Sequence, residues 1–207
     1  MESNTTRTVL VFGDQTDDVR SVLRALLVME PDPILQSFLQ RSYGAIRAEL
    51  LRLSKPEDGS ASRFSSLKEL IDVNLHGSHR VALDHALTTL CHFGLLFERC
   101  RQSQGLYPDI GSTYLMGICT GSLAAAAASF CRTPLDLLPL AIDVCVLAFR
   151  AGELAADVAA RFYSGPSQSV LSWALALPNL DLEGARRIIE EFIRLKVGHV
   201  YYASYKS

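Results

Sequence analysis

An α/β fold with parallel strands is what this sequence predicts, on three observations. Short apolar, β-rich runs alternate with longer segments of helical periodicity, the pattern of strands joined by helical crossovers. The first run, Thr8-Val-Leu-Val-Phe12, is continuously apolar, as in a strand covered on both faces. A second apolar run reaches Gly117 and passes through Ile118-Cys-Thr-Gly121 into an alanine-rich stretch, a strand–turn–helix sequence. At 207 residues the chain can bury a sizeable core, as one domain or as one domain with part of another.

Each element follows from local chemistry. After the first strand, Gly13-Asp-Gln-Thr16 forms a turn, and Thr16 or Asp17 can cap a helix to about Met29. Asp32-Pro33 places a cap and a first-turn proline ahead of a helix with Leu35, Phe38, Leu39, Ile46 and Leu50 on one face, as far as Leu53. Residues 54–62 are polar, with Pro56 and Gly59, and read as a surface loop. A short helix is expected near 66–73. A long one runs from Ser78 to about Gln102, carries Val81, Leu87, Leu90, Phe93 and Phe97, and stops at Gly105. The second strand precedes Cys119, and its helix begins at about Ser122. Thr133-Pro134 opens another helix to about Phe162, and Gly165-Pro-Ser167 breaks the pattern. Beyond it come a strand at 170–177, a helix capped by Asp181 to about Lys196, and a strand at 199–204.

Composition excludes several function classes. The formal net charge is −2, and no lysine- or arginine-rich patch marks a nucleic-acid footprint. The polar start before the short run 9–12 is not a secretory signal, and Asp136, Pro139 and Asp143 interrupt the apolar stretch 135–149, so no membrane span is expected. The five cysteines form no CxxC pair and no zinc spacing, which suits a reducing, cytoplasmic setting without a metal site. Cys91, Cys100, Cys131 and Cys145 have apolar or helical surroundings and read as core fillers.

Cys119 stands apart, at the centre of Gly-x-Cys-x-Gly. A nucleophile elbow turns so sharply that residues two before and two after the nucleophile crowd the backbone, hence glycine at 117 and 121. The thiol would lie at a helix N-terminus, which favours an anion, and the backbone N–H of Thr120 would face a tetrahedral oxyanion. The competing reading is a glycine-flanked strand end with an ordinary buried cysteine. A second oxyanion donor should come from a loop after another strand; the backbone N–H of Gln15 is placed for it, although Gly-Asp-Gln is also an ordinary turn. The base is harder to assign. His85 and His92 share one helix, His76 and His79 flank Gly77, and His199 begins the last strand without an adjacent acid.

Phe12-Gly-Asp-Gln-Thr16, Gly117-Ile-Cys-Thr-Gly121 and Leu147-Ala-Phe-Arg-Ala-Gly152 together resemble the starter-unit:acyl-carrier-protein transacylase domain of fungal non-reducing polyketide synthases. The resemblance extends over essentially the whole chain, including Ser172-Trp173. It implies a malonyl-transferase-like α/β-hydrolase core, with a parallel sheet in three layers, over 1–168, and the start of a ferredoxin-like subdomain over 169–207. It also implies a ping-pong reaction. Cys119 would accept an acyl group from an acyl-coenzyme A or carrier-protein thioester and pass it to the phosphopantetheine thiol of an acyl carrier protein, a fellow domain of the synthase. Gln15 and Thr120 would form the oxyanion hole, with no resident cofactor. An Arg-Gly pair binds the extender carboxylate in malonyl transferases; here Ala151 separates Arg150 from Gly152, and a structural salt bridge is expected of Arg150.

The family also implies a catalytic histidine in a segment resembling Gly-Pro-x-His, and none occurs among the 207 residues. Three functions therefore stand at this point. One is a starter acyltransferase. The second is a truncated, catalytically inactive remnant or docking fragment of a synthase, with apolar sheet surface exposed. The third is a cysteine hydrolase using a local histidine.

Overall fold

A computed structural model describes residues 7–13, 18–30, 32–53, 64–109 and 111–162, and a few helical positions between Glu183 and Glu190. The chain divides into two compact units, Met1–Ser164 and Gly165–Ser207. The strands expected at 170–177 and 199–204 lie outside the described residues, as do Trp173 and His199.

The first unit is α/β and mostly helical. Its elements are β1 (Thr8–Phe12), α1 (Val19–Val28), α2 (Pro33–Leu53), α3 (Leu67–Asp72), α4 (Gly77–Gln102), β2 (Thr113–Gly117), α5 (Gly121–Phe130) and α6 (Pro134–Phe162). β1 and β2 pair in parallel, Thr8 opposite Thr113 and Phe12 opposite Gly117. A parallel pair needs a crossover, and four helices supply it.

The helix starts follow the capping chemistry, with one shift. Asp18, not Thr16 or Asp17, caps α1 by accepting the N–H of Ser21 (3.2 Å). Asp32 accepts from Ile34 and Leu35 (both 3.0 Å) ahead of α2. At α3, Ser66 Oγ accepts from Glu69 N–H, while the Glu69 carboxylate accepts from the N–H and the hydroxyl of Ser65, one residue further back. Thr133 Oγ1 accepts from Asp136 N–H at the start of α6 (3.1 Å). Past the end of α4, Gly105 takes φ +84° and donates its N–H to Cys100 (2.7 Å), a left-handed stop that glycine adopts without strain.

α4 is the spine of the core. Phe93 and Phe97 pack on Phe38 of α2, with ring centroids 6.1 and 5.0 Å apart. Leu83, Leu87 and Leu90 are fully buried, and Thr88 and Thr89 satisfy their hydroxyls on carbonyls one turn back. Cys91, Cys100, Cys131 and Cys145 are buried core residues.

The expectation of two covered faces for β1 is corrected. Leu10, Phe12 and Leu115 pack inward, but Val9 (55% exposed), Val11 (58%), Tyr114 and Met116 lie on the opposite, open face. An unbroken apolar run does not distinguish a strand covered on both sides from one covered on one side.

α4 passes the sheet at His92, whose ring meets the edge of Phe12 (centroids 5.7 Å apart). From that contact the first half of α4 projects back along the helix axis for roughly 20 Å to Gly77. There Gly152 of α6 lies against it: an added Cβ would stand 2.8 Å from Ala82 Cα and 3.0 Å from His85 Cγ.

Candidate active site

The C-terminal ends of β1 and β2 lie side by side, and the turn after β2 is held against the end of β1. Ile118 donates its N–H to the carbonyl of Phe12 (2.9 Å). Cys119 follows with φ +51°, a left-handed conformation unusual for a residue with a side chain. Then Gly121, Ser122 and Leu123 donate their N–H groups to Ile118, Cys119 and Thr120 (2.9, 3.0 and 3.2 Å), and α5 has begun. It starts at Gly121, one residue before the expected Ser122.

Both flanking glycines are required sterically. A Cβ on Gly117 would stand 2.4 Å from Ser122 Cα, because the turn folds the helix back over the strand end. One on Gly121 would stand 2.2 and 2.3 Å from the carbonyl oxygens of Phe12 and Gly13. Crowding against neighbouring backbone is what the spacing predicts for both glycines. For Gly121 that backbone is the last residue of β1 and Gly13 after it, so this glycine docks the elbow onto the end of the first strand.

The geometry exposes Cys119 and buries Thr120. Sγ lies 3.9 Å from Thr120 Oγ1. Ser122 Oγ donates to the Gly117 carbonyl (3.2 Å), bracing the turn from within. A negative charge forming beside Sγ would sit at the positive end of the α5 dipole. Three of the buried thiols are poor nucleophiles, since burial pushes Cys100, Cys131 and Cys145 up from the ordinary thiol value. Gln15 lies outside the described residues.

The described histidines gather on α4. His76 is its N-cap residue and makes no side-chain cap bond; His79 is in its first turn. His85 is packed beside Gly152, and burial lowers its pKa. His92 is buried against Phe12.

Arg150 is committed elsewhere, to a salt bridge as its sequence context suggested. Its Nη2 and Nε donate to the two carboxylate oxygens of buried Glu49 on α2 (2.7 and 3.1 Å). Arg52 adds a third bond to Glu49 (2.9 Å) and reaches Glu153 (2.6 Å). The hydrogen bond from Arg150 holds the Glu49 carboxyl below the usual range, against the opposing effect of burial. A carboxyl lowered in the folded state contributes stability that is complete above its unfolded value and lost as pH falls through its folded one. Arg150→Gln should therefore lower stability at neutral pH, the direction set by the bond it removes from Glu49. It should also flatten the loss of stability on acidification below about pH 4.3, as read by denaturant unfolding at stepped pH.

Among the described residues no group of histidine, cysteine and carboxylate side chains could hold a metal ion, and no helix is long and apolar enough to cross a membrane.

The comparisons with known proteins give the chain a family. The sequence profile of the family described as "Starter unit:ACP transacylase in aflatoxin biosynthesis" matches residues 10–202. The chain is 36% identical over 202 residues to non-reducing polyketide synthase VdtA of Byssochlamys spectabilis, a match covering 95% of this chain and 9% of that protein. It is 34% identical over 190 residues to norsolorinic acid synthase of Dothistroma septosporum, covering 92% and 8%. To non-reducing polyketide synthase aoiG of Aspergillus oryzae it is 37% identical over 196 residues, covering 95% and 9%. The chain thus spans less than a tenth of the length of these relatives. With a profile matched nearly end to end and relatives of one enzyme type, the chain belongs to the starter unit:ACP transacylase family of fungal non-reducing polyketide synthases.

Proposed function

We propose that this chain carries out starter-unit transacylation through Cys119. The observation that carries the proposal is the elbow itself, an exposed thiol at φ +51° between two glycines that admit no side chain. The Sγ thiolate attacks the carbonyl carbon of an acyl thioester, and the electron pair moves onto oxygen. Collapse of the tetrahedral oxyanion breaks the bond to the donor sulfur, which leaves as a thiolate and takes up a proton. The acyl group then rests on Cys119 until the phosphopantetheine thiol of an acyl carrier protein, deprotonated, repeats the attack and releases Sγ.

Thr120 N–H, next to the nucleophile at the head of α5, is the first oxyanion donor in this reading. Gln15 N–H is the second. The contact of the Phe12 and Gly13 carbonyls with Gly121 supports it, since it brings the start of that turn to the elbow. The surrounding fold is read as a malonyl-transferase-like α/β-hydrolase core, with residues 169–207 starting a ferredoxin-like subdomain.

Loading an activated thioester needs only a fraction of thiolate, whereas hand-on to the carrier also needs the incoming thiol deprotonated. A positioned base contributes about 10²- to 10⁴-fold to such a step. With no Gly-Pro-x-His segment in the sequence, loading should be observable and turnover slow. Incubation with an acyl N-acetylcysteamine thioester should give one acyl adduct by intact mass, absent in Cys119→Ala. An adduct that persists in that variant would refute the assignment. Rapid multiple turnover onto a phosphopantetheinylated carrier, lost on replacing one of the five histidines, would show that a local base is present. A chain that is never acylated would favour the docking-fragment reading.

A further inference from the structure

The described residues enclose a polar cleft of about 380 Å³ between the first turns of α1, the end of α3 and the projecting half of α4. Three arginines line it, each held differently. Arg20 is pinned: it donates to the carbonyls of Ile71 and Val73 and to Asp84 Oδ1 (2.8 Å). Arg24 binds Asp72 through Nε (2.8 Å), with both side chains nearly half exposed. Arg80 is 61% exposed and reaches only the second oxygen of Asp84, at 3.5 Å, beyond a good hydrogen bond. Asp84 is thus shared by two guanidinium groups, and its better bonds go to Arg20. The remaining acid, Asp18, is engaged by the N-terminus of α1. The more exposed cations of the cleft are therefore Arg80, loosely held, and Arg24, which keeps N–H groups beyond its one bond to Asp72.

The cleft and the elbow are joined through α4. Arg80, Asp84, Thr88 and His92 recur every four residues along one face of α4, and His92 touches Phe12, whose carbonyl holds the elbow turn. Arg80 lies about 18 Å up the helix from that level. An extended pantetheine arm spans a distance of this order between its thiol and its phosphate.

We propose that this cleft binds the phosphate of the pantetheine arm, the group common to coenzyme A and a phosphopantetheinylated carrier protein, through Arg80 and Arg24. Arg20 is the fixed post that keeps Asp84 from closing on Arg80. The choice of this anion rests on the acyl-transfer reading above.

Calorimetric binding to the 207-residue chain tests it, with pantetheine, 4′-phosphopantetheine, coenzyme A and a phosphopantetheinylated carrier as probes. The double variant Arg24→Gln, Arg80→Gln should weaken every phosphate-bearing probe about 10-fold, the scale of one lost charge-assisted hydrogen bond, and leave pantetheine unchanged. No preference of the unaltered chain for 4′-phosphopantetheine over pantetheine would overturn the proposal. So would a lowered melting temperature with unchanged affinities, which would make the arginines purely structural. A loss confined to coenzyme A would overturn it too, since it would place the nucleotide's own phosphates there. Acylation by the phosphate-free N-acetylcysteamine donor separates the two readings. If Cys119 is loaded but the phosphate preference is missing, the cleft assignment falls and acyl transfer stands. If the preference is present but no thioester acylates Cys119, the reverse holds.

Discussion

Gly121→Ala should strip Cys119 of its reactivity and destabilise the protein by about 3–4 kcal/mol, from overpacking together with one lost hydrogen bond. For a chain of this size that is a fall in melting temperature of about 10 °C. The added methyl would meet backbone atoms of Phe12 and Gly13 at 2.2–2.6 Å, and these cannot swing away as a side-chain tip can. Relief requires β1 to separate from the elbow, which breaks the Ile118–Phe12 hydrogen bond and frees Cys119 from its left-handed conformation. The measurement is thermal unfolding with iodoacetamide labelling followed by intact mass. Gly44→Ala supplies the contrast, because no atom lies within 4 Å of its added Cβ on α2. That substitution should stabilise by about 0.5–1 kcal/mol. If Gly121→Ala melts and labels like the unaltered chain, the close approach of β1 to α5 is not as described.

Gly152→Val should cost about 2–3 kcal/mol while leaving Cys119 labelling intact. Its methyl groups would force α6 away from the backbone of α4 at Val81 and Ala82, where even a lone Cβ meets atoms at 2.8–2.9 Å. That contact lies on the projecting half of α4, whereas the elbow rests on β1 and β2. Stability and thiol reactivity should therefore part company here, and fall together in Gly121→Ala. Loss of labelling in Gly152→Val would mean that the α4–α6 crossing supports the elbow directly.

How much of this was legible in the chain depended on whether the cause was local. The spacing of Gly117, Cys119 and Gly121 announced the turn, because the constraint on Gly117 comes from Gly121 and Ser122, within five residues. Asp32, Ser66, Thr133 and Gly105 likewise marked helix ends by chemistry that acts within one turn. Partners distant in sequence were not legible. Glu49 and Arg150 meet across 101 residues, and nothing near either names the other. Gly121 was expected to crowd neighbouring backbone, but that this backbone is Phe12 and Gly13, more than a hundred residues away, was not written near it. For β1 the apolar run was correctly read as a strand, but its open face depends on which elements pack beside it. The arginine cleft left a faint local trace, since Arg20 and Arg24, like Arg80 and Asp84, are one helical turn apart, but only the packing of α1 on α4 joins the two faces.

The hydrogen bond between Ile118 and Phe12 has a consequence for the order of folding. It joins segments more than a hundred residues apart, so closing that contact carries the entropy cost of a long loop. Contacts of such large separation form slowly compared with the pairings inside each helix. The nucleophile's conformation depends on that late contact, so the chain acquires a poised thiol only when its first strand has come home. A nascent or partly folded chain with all its helices in place would still lack the oriented elbow, so acyl transfer at Cys119 waits on one of the last contacts to form.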